Sequence, residues 1–238
     1  PYTTLFRSGE KNDRDKIVAQ FPEYEFEISE EPAKDWDKWW RDRAEPVAVS
    51  PHLWVRPPWV QFSPEDKDSI VLELEAKTAF GTGEHETTSS TAALMEAIDF
   101  NGKSVLDIGT GTGILAMFAR RRGAKLAVGT EIDPQALPCI AENFERNHFQ
   151  DSSAVLGFLD AFADDAKFDV IVCNMIRSEL WPLRDDIENL LADNGYFVVS
   201  GQLEEEKQYV LDWFNECGFT LDAELIRGEW WSARARRS

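Results

Sequence analysis

A glycine-rich turn between an apolar strand and a helix constrains this chain more than any other feature. The segment VLDIGTGTG, residues 105–113, runs from an apolar strand through three alternating glycines into a helix that we expect to begin near Thr112. Glycine lets the backbone turn tightly and approach a ligand closely. The start of the helix offers unpaired amide groups and the positive end of its dipole. The pattern therefore predicts a strand–turn–helix unit with a small molecule bound over the turn.

Two acidic residues indicate which ligand suits this turn. Asp107 lies two residues before the first glycine, and Glu131 ends the next predicted strand. A dinucleotide site has the spacing G-x-G-x-x-G, which rests a pyrophosphate on the helix N-terminus, whereas Gly113 comes one residue too early. A carboxylate beside the turn would repel a pyrophosphate and suits a ligand with ammonium and sulfonium groups. The pattern D-x-G-x-G-x-G, with a second acid ending the next strand, resembles class I methyltransferases that bind S-adenosylmethionine.

Three further segments make the resemblance more specific. They are AFGTGEHETT at residues 79–88, CNM at residues 173–175 and HLWVRPPW at residues 52–59. Together they resemble the PrmA family, bacterial methyltransferases that modify protein eleven of the large ribosomal subunit, over roughly residues 36–228. The resemblance implies S-adenosylmethionine as cofactor and methylation of lysine side-chain or N-terminal amines. It also implies a basic protein as methyl acceptor, a large-subunit ribosomal protein first among the candidates.

The resemblance also implies roles for single residues. The Asn174 side chain and nearby backbone carbonyls would contact the methionine part of the cofactor and the acceptor amine, so Asn174 is the candidate catalytic residue. Glu131 would hold the ribose hydroxyls, and Thr88 would bond to the methionine carboxylate or amino group. The candidate cofactor-binding residues are Phe80, Thr88, Asp107, Gly109, Gly111, Gly113, Glu131 and Asn174.

Three of these interpretations have ordinary structural alternatives. Asn174 could instead cap a helix that begins near Ser178. Phe80 could cover the sulfonium through a cation–π contact, or it could be core packing. His85 could contact the cofactor or gate its entry, or it could be a loop histidine without a function in binding.

The order of predicted elements indicates an α/β chain in three parts. Residues 1–45 form a small N-terminal α/β appendage, which by resemblance recognises the substrate and is shorter than the family's full recognition domain. Residues 46–68 form a proline-rich, stiff and extended connector. Residues 69–238 alternate strands with helices, which predicts a catalytic domain built on the seven-stranded, Rossmann-like sheet of class I methyltransferases.

Some local predictions are more detailed. Residues 71–76 form a strand that leads into the first glycine segment, and the apolar residues 168–175 form a central strand. Pro138 lies one turn into a helix over residues 134–147 and should bend it. Helices are also expected over residues 87–97, 178–192 and 204–217, and a hairpin-like pair of strands ends the chain. Trp36, Trp39 and Trp40 of the appendage would pack against the catalytic domain or, alternatively, dock a partner.

Composition excludes several other classes. The formal net charge of −19 favours a basic protein partner over nucleic acid, although acidity could simply maintain solubility. We find no apolar run of membrane-spanning length and no signal-peptide pattern, so we expect a cytoplasmic monomer that binds neither membrane nor nucleic acid directly. The three cysteines lack C-x-x-C spacing, which predicts buried reduced thiols. Three histidines without ligand-like spacing predict no metal site.

Three rival functions stay open at this point. The chain could methylate another protein or a small-molecule amine. It could be a non-catalytic module that keeps the fold and binds the cofactor without turnover. A nicotinamide-linked dehydrogenase is the remaining rival, and titration with the reduced dinucleotide would identify it.

Overall fold

The computed structural model describes residues 19–20, 42–75, 80–149, 153–163 and 165–237. The chain divides into two units, Pro1–Asp42 and Arg43–Ser238, and the elements named below belong to the second. The predictions for residues 1–41, including those for the three tryptophans of the appendage, lie outside the described residues apart from positions 19 and 20.

The described part of the second unit contains ten strands and six α-helices. The strands are β1 Val47–Ser50, β2 Leu53–Arg56, β3 Ile70–Glu73, β4 Ser104–Ile108, β5 Leu126–Glu131, β6 Ser153–Leu156, β7 Phe168–Asn174, β8 Leu191–Leu203, β9 Phe219–Arg227 and β10 Trp230–Arg237. The α-helices are α1 Glu86–Met95, α2 Ile114–Arg121, α3 Leu137–Arg146, α4 Arg177–Leu180, α5 Arg184–Leu190 and α6 Lys207–Glu216. Short 3₁₀ turns lie at Leu159–Ala161, Trp181–Leu183 and Glu204–Glu206.

Seven strands form the main sheet in the order β6-β5-β4-β7-β8-β10-β9. Neighbouring strands run parallel from β6 to β8, and β10 is antiparallel to both β8 and β9. The chain direction across the sheet reverses between β4 and β7, and ligands bind beyond the carboxyl ends of the strands at such a switch point. The predicted seven-stranded α/β fold is confirmed.

The membership of this sheet differs from the sequence-based expectation in one strand. The predicted strand at residues 71–76 belongs to another sheet, and its place is taken by β6 at the edge. No strand was expected at β6, because its four residues SAVL are too few to show a periodic pattern.

A second sheet of three strands corrects the predicted connector. β1 pairs antiparallel with β2, and β2 pairs parallel with β3, so residues 46–68 are not simply an extended connector. Leu53 and Val55 alternate with more exposed residues along β2 and join the same apolar cluster as Leu72 and Met95. Because alternate side chains are buried, these residues form strands of a sheet, whereas their prolines had predicted an extended connector.

Proline also sets two helix boundaries. Helix α3 begins only at Leu137, so Pro138 lies in its first turn, where the missing amide proton is not needed; the predicted bend is wrong. The helix predicted over residues 178–192 is divided into α4, a 3₁₀ turn containing Pro182, and α5. Residues 191 and 192 already belong to β8.

The central strands are buried on both faces. All five residues of β4 are buried, as are Val170 to Cys173 in β7. One apolar cluster packs α1, α2 and α3 against one face, and a second packs α4 to α6 against the other. The carboxyl ends of β4, β5 and β7 are therefore rigidly supported, which makes their edge a stable base for a binding site.

Candidate active site

A cavity of about 500 Å³ lies at the carboxyl ends of the central parallel strands. Ile108 at the end of β4, Glu131 at the end of β5 and Asn174 at the end of β7 all face it. The other lining residues are Phe80, Gly109, Gly111, Thr130, Ile132, Asp133, Ala136, Gly157, Phe158, Leu159, Met175, Glu179, Pro182 and Leu183. The cavity thus occupies the position predicted for a ligand at the switch point.

The glycine turn forms one wall of the cavity. Gly109 and Gly111 have φ angles of 66° and 56°, which other residues adopt only with strain. A Cβ atom at Gly111 would collide with the carbonyl oxygen of Phe80, and one at Gly109 would lie 2.9 Å from the methyl carbon of Met175. Gly113 does not line the cavity and forms the N-cap of α2, which begins at Ile114.

The first glycine segment packs directly on this turn. The amide of Thr112 donates to the carbonyl oxygen of Phe80 at 3.0 Å, and the Thr112 hydroxyl donates to the carbonyl oxygen of Gly81 at 2.7 Å. These bonds hold Phe80 at the cavity, where 57% of its surface is exposed. That exposure contradicts the core-packing alternative; the cation–π role stays a prediction.

The carboxylate of Glu131 is held by backbone amides at the cavity wall. Oε2 accepts from Gly111 at 3.2 Å, and Oε1 accepts from Ile132 at 2.9 Å and from Asp133 at 3.1 Å. The bond from Gly111 ties the end of β5 to the glycine turn, and the three bonds together orient the carboxylate. Its predicted contact with a ribose stays a prediction.

Asp107 lies behind the turn and does not line the cavity. Its Oδ2 accepts from the Thr110 hydroxyl at 2.6 Å and from the Ala116 amide at 3.2 Å, so it ties β4 to α2. Burial, with a smaller contribution from the nearby charge of Glu131, raises the pKa of the Asp107 carboxyl to about 7. Asp107 therefore supports the turn from inside, where the sequence alone placed it beside the ligand.

Asn174 and Thr88 lie within hydrogen-bonding distance of each other, but only Asn174 reaches the cavity. The side-chain amide of Asn174 donates to the Thr88 hydroxyl at 3.4 Å. Asn174 lines the cavity, whereas Thr88 is fully buried and does not. Helix α4 has Ile176 as its N-cap residue and no side-chain cap, so the alternative that Asn174 caps this helix is wrong.

His85 acts as the N-cap of α1. Its Nδ1 accepts from the amide of Thr87 at 3.3 Å, and its ring lies between the rings of Phe80 and Trp230, with centroid distances of 5.4 and 5.6 Å. His85 does not line the cavity. These contacts are those of a structural residue, and a gating role stays a prediction.

Sequence reasoning missed several lining residues. Ile132 and Phe158 are 63% and 60% exposed although apolar, and both face the cavity beside Glu131. In the sequence, an isoleucine directly after the acid that ends β5 was a signal that could have indicated a lining residue. Phe158 could not be identified in this way, because the strand that precedes it, β6, was not predicted. Of the described lining residues, the charged ones are Glu131, Asp133 and Glu179, which gives the cavity a negative potential.

The comparison with known proteins decides the family. The family described as "Ribosomal protein L11 methyltransferase (PrmA)" matches residues 8–238. The chain belongs to this family. Two curated relatives in it are the ribosomal protein L11 methyltransferases of Chromohalobacter salexigens, 36% identical over 209 residues, and Alteromonas mediterranea, 34% identical over 209 residues. Each match covers 88% of this chain and 68% or 70% of the relative.

A solved structure agrees with the assignment to the PrmA family. The ribosomal protein L11 methylase of Lactobacillus delbrueckii subsp. bulgaricus superposes with a TM-score of 0.75 at 29% identity. The superposition covers 81% of this chain and 99% of that one. As a PrmA-family member with the class I sheet, the chain is a protein methyltransferase that depends on S-adenosylmethionine.

Other features of the described residues bear on the remaining predictions. Within them, no helix is long and apolar enough to cross a bilayer, and no three His, Cys, Asp or Glu side chains come together as metal ligands would. Cys139, Cys173 and Cys217 form no disulfide with one another; the first two are buried and Cys217 is half-buried, so the prediction of three buried thiols holds for two.

Proposed function

We propose that this chain transfers methyl groups from S-adenosylmethionine to amino groups of ribosomal protein L11, on lysine side chains or at the N-terminus. One observation carries the proposal: Asn174 and the glycine turn face the same cavity, whose charged lining residues are all acidic among those described. The relatives, which are ribosomal protein L11 methyltransferases, support the choice of acceptor. The net charge of −19 suits a basic acceptor protein, because it attracts one over long range.

The cavity residues fit the parts of S-adenosylmethionine. Glu131 would accept hydrogen bonds from the ribose hydroxyls, and the exposed apolar pair Ile132 and Phe158 would flank a flat base. The acidic lining would favour the ammonium and sulfonium groups. The backbone of Gly109 and Gly111 would lie close to the cofactor, since neither residue carries a side chain that fills the space.

S-adenosylmethionine supplies a methyl group already activated by its sulfonium, so the protein mainly has to orient the acceptor amine. Because the amide nitrogen of Asn174 donates to Thr88, its oxygen is the atom available for an N–H of the amine. The backbone carbonyl of Met175, the next residue along the cavity wall, would be the second acceptor. Two such contacts would direct the lone pair of a neutral amine toward the methyl carbon. A cationic sulfonium nearby would disfavour the protonated ammonium form.

We also propose that different parts of the chain recognise the acceptor protein and carry out catalysis. Residues 1–45 would help recognise the acceptor protein, and residues 69–238 would carry catalysis. The described residues that line the cavity support the second part, because they all lie between Phe80 and Leu183.

The test is methylation of purified ribosomal protein L11 with radiolabelled S-adenosylmethionine, followed by mass spectrometry of its peptides. We expect label on L11 amines, and none when these amines have been blocked chemically beforehand. Asn174→Ala should lose transfer while still binding S-adenosylhomocysteine. Cofactor binding by the unaltered protein without labelling of L11 would contradict the proposed acceptor.

A further inference from the structure

The carboxyl end of β8 encloses the peptide group of Met175. The carbonyl oxygen of Ser200 accepts from the Met175 amide at 3.1 Å. The side-chain nitrogen of Gln202 donates to the Met175 carbonyl oxygen at 2.6 Å and, more weakly, to the Ser200 carbonyl oxygen at 3.4 Å. Met175 is thus held at both its N–H and its C=O.

Gly201 makes this close approach possible. Its φ angle is 81°, and a Cβ atom there would lie 2.7 Å from the Met175 oxygen and 2.8 Å from its carbonyl carbon. Residues with a side chain would push β8 away from Met175. The glycine therefore allows the neighbouring Gln202 to reach the Met175 carbonyl.

Gln202 makes these contacts while fully buried. Both of its acceptors are backbone carbonyls, so the amide atom that faces them must be the nitrogen. The amide oxygen Oε1 receives no hydrogen bond from the described residues, and a buried oxygen in that state destabilises a fold. An apolar side chain of equal length would avoid the cost of burying this oxygen. Any favourable effect of a glutamine at position 202 therefore has to come from the hydrogen bonds of its nitrogen.

The residue whose carbonyl Gln202 holds is part of the cavity wall. Met175 lines the cavity beside Asn174, and its side-chain methyl lies over Gly109. A hydrogen bond to one lone pair of the Met175 oxygen restricts the direction of the other. We propose that Gln202 is a positioning residue that aims the Met175 carbonyl at the N–H of the methyl acceptor. This inference rests on the proposed function.

Gln202→Met tests the inference, because methionine has similar length but no donor. We expect kcat to fall by about tenfold or more, while KM for S-adenosylmethionine and the affinity for S-adenosylhomocysteine stay within about twofold. Thermal stability should change little, since the substitution removes the unpaired oxygen together with the donor. Gln208→Met is the matched control: Gln208 is exposed on α6 and bonds only to Asp212 in the described structure.

Nuclear magnetic resonance provides a readout that does not depend on turnover. Of the three methionines, Met175 alone precedes an isoleucine, so isotope labels on methionine carbonyl carbons and isoleucine nitrogens yield one correlation, for Met175 and Ile176. That carbonyl resonance should shift in Gln202→Met and not in Gln208→Met.

Gln202→Glu supplies a rescue. Burial raises the pKa of a carboxyl group, and in its protonated form this side chain donates to the Met175 oxygen. Turnover should therefore be partly restored at lower pH and decline with rising pH more steeply than in the unaltered protein.

The inference is overturned if the Met175 resonance does not move in Gln202→Met. Unchanged kcat would also overturn it, as would equal losses of kcat, cofactor affinity and stability, which indicate a purely structural residue. Failure of the unaltered protein to methylate L11 would instead remove the proposed function. In that case the resonance shift would still report whether Gln202 holds the carbonyl.

Discussion

Replacing Asp107 with asparagine should remove a dependence of stability on pH. Asp107 is buried behind the glycine turn, which raises the pKa of its carboxyl from 3.8 to about 7. The folded protein therefore holds this proton more tightly than the unfolded chain. The stability that protonated Asp107 contributes is fully present below about pH 4 and is lost as the pH rises through about pH 7.

The magnitude follows from the separation of the two pKa values. A difference of about 3 units corresponds to roughly 4 kcal/mol over the whole window. Between about pH 5 and about pH 8 the loss is about 2.5 kcal/mol. Asparagine keeps an oxygen that can accept from the Thr110 hydroxyl and the Ala116 amide, but it carries no charge. The variant should therefore lack this part of the pH dependence.

Urea unfolding followed by circular dichroism measures the effect. The free energy of unfolding is determined for the unaltered protein and for Asp107→Asn at several pH values. Glu96 and Asp169 have lowered pKa values in the fold, but both are present in the two proteins, so their contributions cancel in the difference. We expect the difference to shift in favour of the variant as the pH rises. A difference that stays constant over this range would refute the reasoning.

Three predictions concern cofactor binding measured by calorimetry. Gly109→Val should abolish binding of S-adenosylhomocysteine, because the new Cβ atom would collide with Met175. The control is Gly102→Val: Gly102 has a similar φ angle of 69° but nothing within 4 Å of an added Cβ atom, so affinity should stay within about threefold. Equal losses of affinity in both variants would mean that the site is misplaced. Glu131→Ala should weaken adenosine-containing ligands and leave methionine binding unchanged, and the reverse order would contradict the ribose assignment. Phe80→Leu should weaken S-adenosylmethionine by about 0.5 to 2 kcal/mol but affect the uncharged S-adenosylhomocysteine less, and equal effects would argue against a cation–π contact.

The position of much of the site could be predicted from the sequence. Strand, turn and helix follow one another in the glycine segment, and a parallel sheet places the carboxyl ends of its strands at one edge. Gly109, Gly111, Glu131 and Asn174 were therefore expected near one another, and all four line the cavity. Phe80 lies with them because its segment bonds to the turn; it was proposed at the ligand because an aromatic residue at the start of a glycine segment could cover a sulfonium.

Local patterns determined these features, because periodicity and glycine spacing act over a few residues. Which strands pair, and which polar group ends up buried, depend on contacts between distant parts of the chain. Four features depend on such distant contacts: the three-stranded sheet, the pairing of β6 with the main sheet, the burial of Asp107 and Thr88 outside the cavity, and the hydrogen bond from Gln202 to Met175. The sequence by itself determined where a cofactor turn lies and which acid accompanies it; the tertiary structure decided which side chains reach the cavity, because burial and strand pairing are settled only when the whole sheet assembles.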